Sequence, residues 1–152
     1  MLVGATHLKA KEGQANEDLR AADIAQLLDA MAERVGQRSP QISHSILLGD
    51  FNTDPPGVPA KHTARCVPAV LAHRLGLRSA YPIPLADTEW TTWKRRSGTE
   101  IKHRIDYIFH SPSLRAAALL APPATADLEP ARLPSLRYPS DHLAIMAELV
   151  VA

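Results

Sequence analysis

The chain has a single cysteine, Cys66, in 152 residues. One thiol cannot close an internal disulfide. It cannot build a thiolate zinc site without several other donors. The count is compatible with a reducing, intracellular compartment, the cytoplasm, with the mitochondrion as the alternative. Aromatic residues make up only 5%, which leaves few rings for stacking on bases once a core has taken its share. No apolar run approaches the length of a membrane span. The apolar stretches near 46–48 and 116–122 are strand-sized. Net charge is +1, so any affinity for anions has to be local. No internal repeat or low-complexity tract is present.

What remains is the composition of a globular α/β chain, 45% hydrophobic and 22% charged, long enough for one domain with a moderate core. Met1 is followed at once by "LVGATHL", a strand-like run, so we expect the chain to open inside a domain rather than on a leader. Residues 2–8 read as a strand. Ile24, Leu27, Leu28, Met31 and Val35 recur at three- and four-residue spacing and predict a helix over 16–35, with Gly36 as its C-cap. Residues 44–49 read as a second strand and "DPPGVP" as a turn. A second helix is expected within 60–75, and "GLRSAY" reads as a connector. From Trp90 onward, "EWTTWKR", "HRIDYIFH", "LRAAALLA" and "HLAIMAELVV" read as four strands. The Pro-rich stretch 122–139 reads as an ordered loop anchored by Leu128, Leu133, Leu136 and Tyr138. Helix–strand alternation followed by strands predicts a layered α/β domain, not a doubly wound one.

Polar residues collect at the strand ends. His7 closes the first strand. Asp50 and Asn52 close the second, in "LLGDFNTDPPG". Asp106 lies within "HRIDYIFH", and Asp141 and His142 follow "YPS". Singly, each has an ordinary reading: an Asx turn for Asp50, a packed strand-end histidine for His7, a turn cap for Asp141. Asp106 is harder to dismiss, because an acid inside an apolar strand is costly unless it is partnered. His142 is its candidate partner. Acids, an amide and imidazoles on neighbouring strand ends suit metal-assisted phosphoester hydrolysis. Oxygen ligands hold a hard cation such as Mg²⁺, and a positioned side chain orients water.

The pieces "THLKAK", "LLGDFN", "SAY", "TTWKRRSG", "HRIDYI" and "LPSLRYPSDHLA" occur in an order that resembles the endonuclease/exonuclease/phosphatase superfamily, and within it the nocturnin-like members of the deadenylase branch. "EGQANEDLRAAD" resembles them less well. The resemblance implies a layered α/β sandwich of the deoxyribonuclease I-like type, incomplete here, with residues 1–152 as the C-terminal portion of one such domain. It implies that Asp50 and Asn52 position water and contact the scissile phosphate, that Asp106 orients His142, and that His7 contacts the phosphate. His142 would bind or protonate phosphoryl oxygens, and Asp141 would lie at a Mg²⁺ (or Mn²⁺). It also implies that the family's principal glutamate ligand and an asparagine precede Met1. Glu12, Glu17, Glu89 and Glu100 do not match that glutamate, so weak metal binding, exposed apolar surface and an isolated chain with little or no activity are expected.

"WKRRSGTEIKHR", 93–104, is a basic patch that can equally be a solvated hairpin. With Lys9 and Lys11 it suggests the substrate. In nocturnin-like proteins the positions matching Lys9, Lys11 and Arg96 hold the phosphates of NADP(H), whose 2′-phosphate is removed. A lysine at 11 keeps charge but loses the bidentate fork of arginine. The alternatives are a 3′–5′ exonuclease acting on poly(A) and a non-catalytic remnant or binding module.

Overall fold

The computed structural model describes residues 1–38, 40–58, 63–83, 90–96 and 98–152, without the side chain of Arg96. Glu89 falls outside this set. The chain opens on strand β1 (Leu2–His7), followed by helix α1 (Gln14–Gln37) and strand β2 (Ser45–Asp50). β1 and β2 are parallel, with Leu2 opposite Ser45 and His7 opposite Asp50. A parallel pair needs a crossover, and α1 supplies it. Ile24, Leu28 and Met31 form its buried stripe, at the spacing that places side chains on one helix face. A Cβ on Gly4 would lie 2.6 Å from the Met31 sulfur, so the glycine lets the helix settle on the strand. Gly36 is inside the helix, and the C-cap is Arg38. The helix therefore runs two residues past the expected stop.

Helix α2 (Cys66–Ala72) packs beside α1, and the two-residue strand β3 (Arg78–Ser79) lies within the segment expected to be a connector. Next comes a hairpin of β4 (Thr92–Arg96) and β5 (Thr99–His103), then β6 (Asp106–His110). β6 runs antiparallel to both β2 and β3, giving a four-stranded sheet in the order β1-β2-β6-β3. β7 (Leu114–Leu119) pairs with β8 (Ala147–Val151). The expected last strand is thus shorter than "HLAIMAELVV". His142 makes only an isolated bridge, to Thr92.

One core lies between the sheet and the helices. Leu47, Phe51, Tyr107 and Phe109 meet Ile24, Leu28, Met31, Cys66, Val67 and Val70 there. Phe51 packs edge-on against Tyr107 at 5.2 Å and Phe109 at 5.5 Å. Burial pushes the Cys66 thiol up to about 12, which leaves it inert at neutral pH. The opposite sheet face is open: Val3 is exposed, and Ile46, Leu48 and Ile108 are half-buried. A second core gathers Trp90, Trp93, Leu128, Leu133 and Leu143, with Tyr138 against it. The Pro-rich stretch is therefore ordered, with a short helix α3 (Thr125–Leu128) inside it. Leu136 does not anchor it, since its side chain is fully exposed. Trp93 is held between two cations, Lys102 at 3.9 Å and Arg132 at 4.1 Å from the ring centre.

Candidate active site

The register of the main sheet places three polar residues in one row at its end. His7 on β1 is opposite Asp50 on β2, and Asp50 is opposite Asp106 on β6. Residues directly opposite one another share a sheet face. His142 joins the row from the far side. Its Nδ1 lies 2.9 Å from Asp106 Oδ2, and its Nε2 is 3.8 Å from Asp50 Oδ2. His7 Nε2 is 3.5 Å from the same Asp50 oxygen. The two oxygens of Asp50 divide the work. Oδ1 accepts from the backbone N–H of Asn52 at 2.8 Å, an Asx turn, while Oδ2 faces the two imidazoles.

Local sequence explains this precision. Gly49 has φ 143°, and a Cβ there would lie 1.9 Å from the Thr6 carbonyl oxygen. Only glycine lets β1 come that close just before Asp50. Phe51 then plunges into the core and fixes the acid and amide on either side of it. The Tyr107 hydroxyl donates to the Thr53 and Arg104 carbonyls, each at 2.9 Å, and pins the following loop to β6. The Thr91 hydroxyl accepts from the backbone N–H groups of Ile105 and Asp106.

Burial raises the Asp106 carboxyl above the ordinary aspartate value. Contacts with Thr91 and His142 oppose the shift, and the nearby charge of Asp50 adds to it. Asp50, Asp106 and His142 offer ligand atoms all within 4.8 Å of one another, the one such group among the described residues. Two carboxylates at that spacing fit a hard divalent cation, although Asp106 is already engaged by the imidazole. Asp141 stands apart from this group. Its carboxylate takes Lys94 Nζ at 2.6 Å, and that ammonium holds it below the usual aspartate range. Asn52, at φ 49°, donates through Nδ2 to the Leu8 carbonyl at 3.0 Å. It ties the loop after β1 to the site.

That loop carries Lys9 and Lys11, both exposed. Leu8 N–H donates to the Asp50 carbonyl. Arg20 Nη1 donates to the carbonyls of Lys9 at 2.8 Å and Lys11 at 2.9 Å. Lys11 sits at φ 83°, a strained conformation that the Arg20 tie helps hold. Arg20 is fully buried, with its Nε on Glu17 Oε2 at 2.8 Å. Glu17 Oε1 accepts the N–H groups of Arg65 and Cys66. Burial alone would raise the Glu17 carboxyl, but bonds from Cys66, Arg65, Arg20 and Thr53 outweigh it and the net shift is downward. Sequence reasoning missed this pair, and it missed His103, whose Nδ1 is 2.6 Å from Asp54 Oδ2. The side chain of Arg96 lies outside the described residues.

The family model of the Endonuclease/Exonuclease/phosphatase family matches residues 13–142. The chain belongs to that family. It is 38% identical to Nocturnin of Xenopus laevis over 148 residues, covering 94% of this chain and 35% of that protein. Against Nocturnin of Homo sapiens it is 34% identical over 152 residues, covering 96% and 32%. The chain thus spans about a third of the length of these relatives. The human Nocturnin catalytic domain, solved with a bound sulfate anion, superposes with a TM-score of 0.70 at 29% identity, over 99% of this chain and 47% of that one. ANGEL2, a 2′,3′-cyclic phosphatase, gives 0.72 at 23% identity, over 97% and 56%. The fold is the layered α/β arrangement of this family, present over about half of the solved domains. No helix among the described residues is long and apolar enough to cross a membrane.

Proposed function

We propose that this chain is the C-terminal portion of a metal-dependent phosphoester hydrolase domain, and that the substrate is NADP(H), which loses its 2′-phosphate. The observation that carries the reading is the row His7–Asp50–Asp106 closed by His142. Asp50 and Asp106 would hold Mg²⁺ (or Mn²⁺), which supplies polarisation of a phosphoryl oxygen. Asp106 fixes the His142 tautomer through Nδ1, leaving Nε2 to bind or protonate a phosphoryl oxygen. Asp50 Oδ2, the oxygen not spent on the Asx turn, orients the attacking water. Asn52 and His7 contact the phosphate from the two neighbouring strand ends. Asp141, held by Lys94, would be a further carboxylate ligand for that cation.

Lys9, Lys11 and Arg96 supply the charge that selects a phosphorylated nucleotide. The human relative was solved with a bound sulfate anion, which favours an anionic substrate for this chain as well. The second reading, 3′–5′ removal of poly(A), needs rings free for stacking. Trp90 and Trp93 are instead buried in the second core, which favours a small nucleotide.

With three candidate ligands, one of them shared with His142, the 152-residue chain by itself turns over slowly or not at all. The test assays it with Mg²⁺ and Mn²⁺ on NADP(H) and oligo(A), beside a protein that adds the relatives' preceding segment. The longer protein should release phosphate from NADP(H). Asp50→Ala and His142→Ala should each cut that rate by about a hundredfold or more. Near-normal turnover in either variant would overturn the assigned roles.

A further inference from the structure

The β4–β5 hairpin carries a second aspartate–histidine pair that the hydrolytic row does not use. Thr92 is opposite His103 on one side and bridged to His142 on the other. The flanking backbone bonds agree: Thr91 N–H donates to the His103 carbonyl at 2.9 Å, and Leu143 N–H to the Thr91 carbonyl at 2.7 Å. Residues opposite one another on paired strands share a face, so the register puts His103, Thr92 and His142 on one side. Trp93, the next residue, faces the other way, with Lys102 over its ring. Lys94 returns to the histidine side and reaches Asp141. Neighbouring strands lie about 4.8 Å apart, so the two histidines stand roughly 10 Å apart across Thr92.

Asp54 holds the ring through Nδ1, as Asp106 holds His142, and its other oxygen accepts the Arg104 N–H at 2.8 Å. His103 Nε2 has no hydrogen-bond partner among the described residues, and the side chain is 31% exposed. The charged groups around the ring come from three elements: Asp54 after β2, Glu12 before α1, and Lys94 on β4. Glu12 belongs to the loop that carries Lys9 and Lys11.

We propose that His103, held by Asp54, is a second anion contact in this cleft, binding a phosphate of the substrate other than the one hydrolysed at His142. It would select nucleotides bearing two separate phosphate groups over monophosphates. The inference rests on the nucleotide reading above. A simpler clamp between hairpin and loop would need only the Asp54 bonds, and would not leave an imidazole N–H open to solvent beside Lys94. The hydrogen bond to Asp54, opposed by burial, raises the pKa of the ring, so the contact keeps its charge to higher pH than a free imidazole would.

Titration calorimetry with NADP⁺ and adenosine 2′-monophosphate separates the cases. His103→Gln keeps a donor and removes the charge. NADP⁺ affinity should fall about tenfold and adenosine 2′-monophosphate affinity by less than about twofold. Wild-type affinity for NADP⁺ should weaken as pH rises through the imidazolium range, and His103→Gln should flatten that dependence. Equal losses on both ligands, or no loss, overturn the inference and leave the nucleotide reading intact. If neither ligand binds the wild-type chain, the titration is repeated on the longer protein, and failure there overturns the nucleotide reading and this inference with it. Should His103→Gln not fold, wild-type NMR decides: NADP⁺ should raise the His103 pKa and adenosine 2′-monophosphate should not. An unchanged value with NADP⁺ overturns the proposal.

Discussion

Asp50 and Asp106 are cross-strand partners on β2 and β6, and one imidazole, His142, spans the two carboxylates. Like charges placed directly opposite are destabilising. The sheet therefore holds an arrangement that works against its own stability, which is common where a site must attract a cation.

Asp106→Asn should follow from that conflict. Burial raises the Asp106 pKa, so the folded state holds this proton more tightly than the unfolded chain does. Its charge costs stability at neutral pH, and the cost vanishes as pH falls through the raised value. The variant should melt a few degrees higher than wild type at neutral pH, and the gap should close in acid. Thermal melts against pH check this. A lower melting temperature at neutral pH would contradict it.

Arg20→Ala should be costly. It takes the guanidinium away from the buried Glu17 carboxylate and frees the Lys9 and Lys11 carbonyls. A loss of about 3–5 kcal/mol is expected, read by urea unfolding. Amide exchange in residues 9–13 should speed up well before global unfolding. Wild-type protection there would show that the loop is held by other contacts.

Gly49→Ala should lose roughly 2 kcal/mol or more, from a left-handed backbone and a direct clash with the Thr6 carbonyl. Because the clash pushes β1 from β2, the His7–Asp50 contact should go with it. A variant as stable as wild type would mean that the strands can part at no cost.

Asp54→Asn tests the second aspartate–histidine pair through stability alone. The folded-state pKa of His103 is raised. Its contribution is therefore fully present below the ordinary value of 6.5 and is lost as pH rises through the folded value. The variant should be less stable than wild type at about pH 6, with the deficit narrowing as pH rises. A deficit independent of pH would assign Asp54 to its backbone bond with Arg104 only.

Much of this was legible before any coordinates. β1, α1, β2 and β6 have strong periodicity or sharp boundaries, and the acids stand where those strands end. Thr99–His103 registered only as part of a solvated hairpin, not as a strand of its own, because Glu100 and Lys102 leave β5 little apolar alternation. β3 is too short for any pattern to register. Glu17 and Arg20 have the spacing of an ordinary exposed helix pair. Nothing local says that α2 and the Lys9–Lys11 loop cover them. Asp54 hid inside a turn sequence, "DPPG", and His103 among basic neighbours. Their pairing spans 49 residues, a distance that no window of sequence reaches.

The placement of both tryptophans in the second core has a spectroscopic consequence. The chain has two tryptophans, and Trp90 and Trp93 meet edge to face at 4.8 Å. The core under α1 holds phenylalanine and tyrosine instead. Emission from indole therefore reports only on the hairpin and its Pro-rich cover, while far-ultraviolet dichroism is dominated by the 24 residues of α1. The two signals are independent gauges of two halves of one molecule. If their denaturation curves separate, the hairpin side and the helical side come apart in different steps.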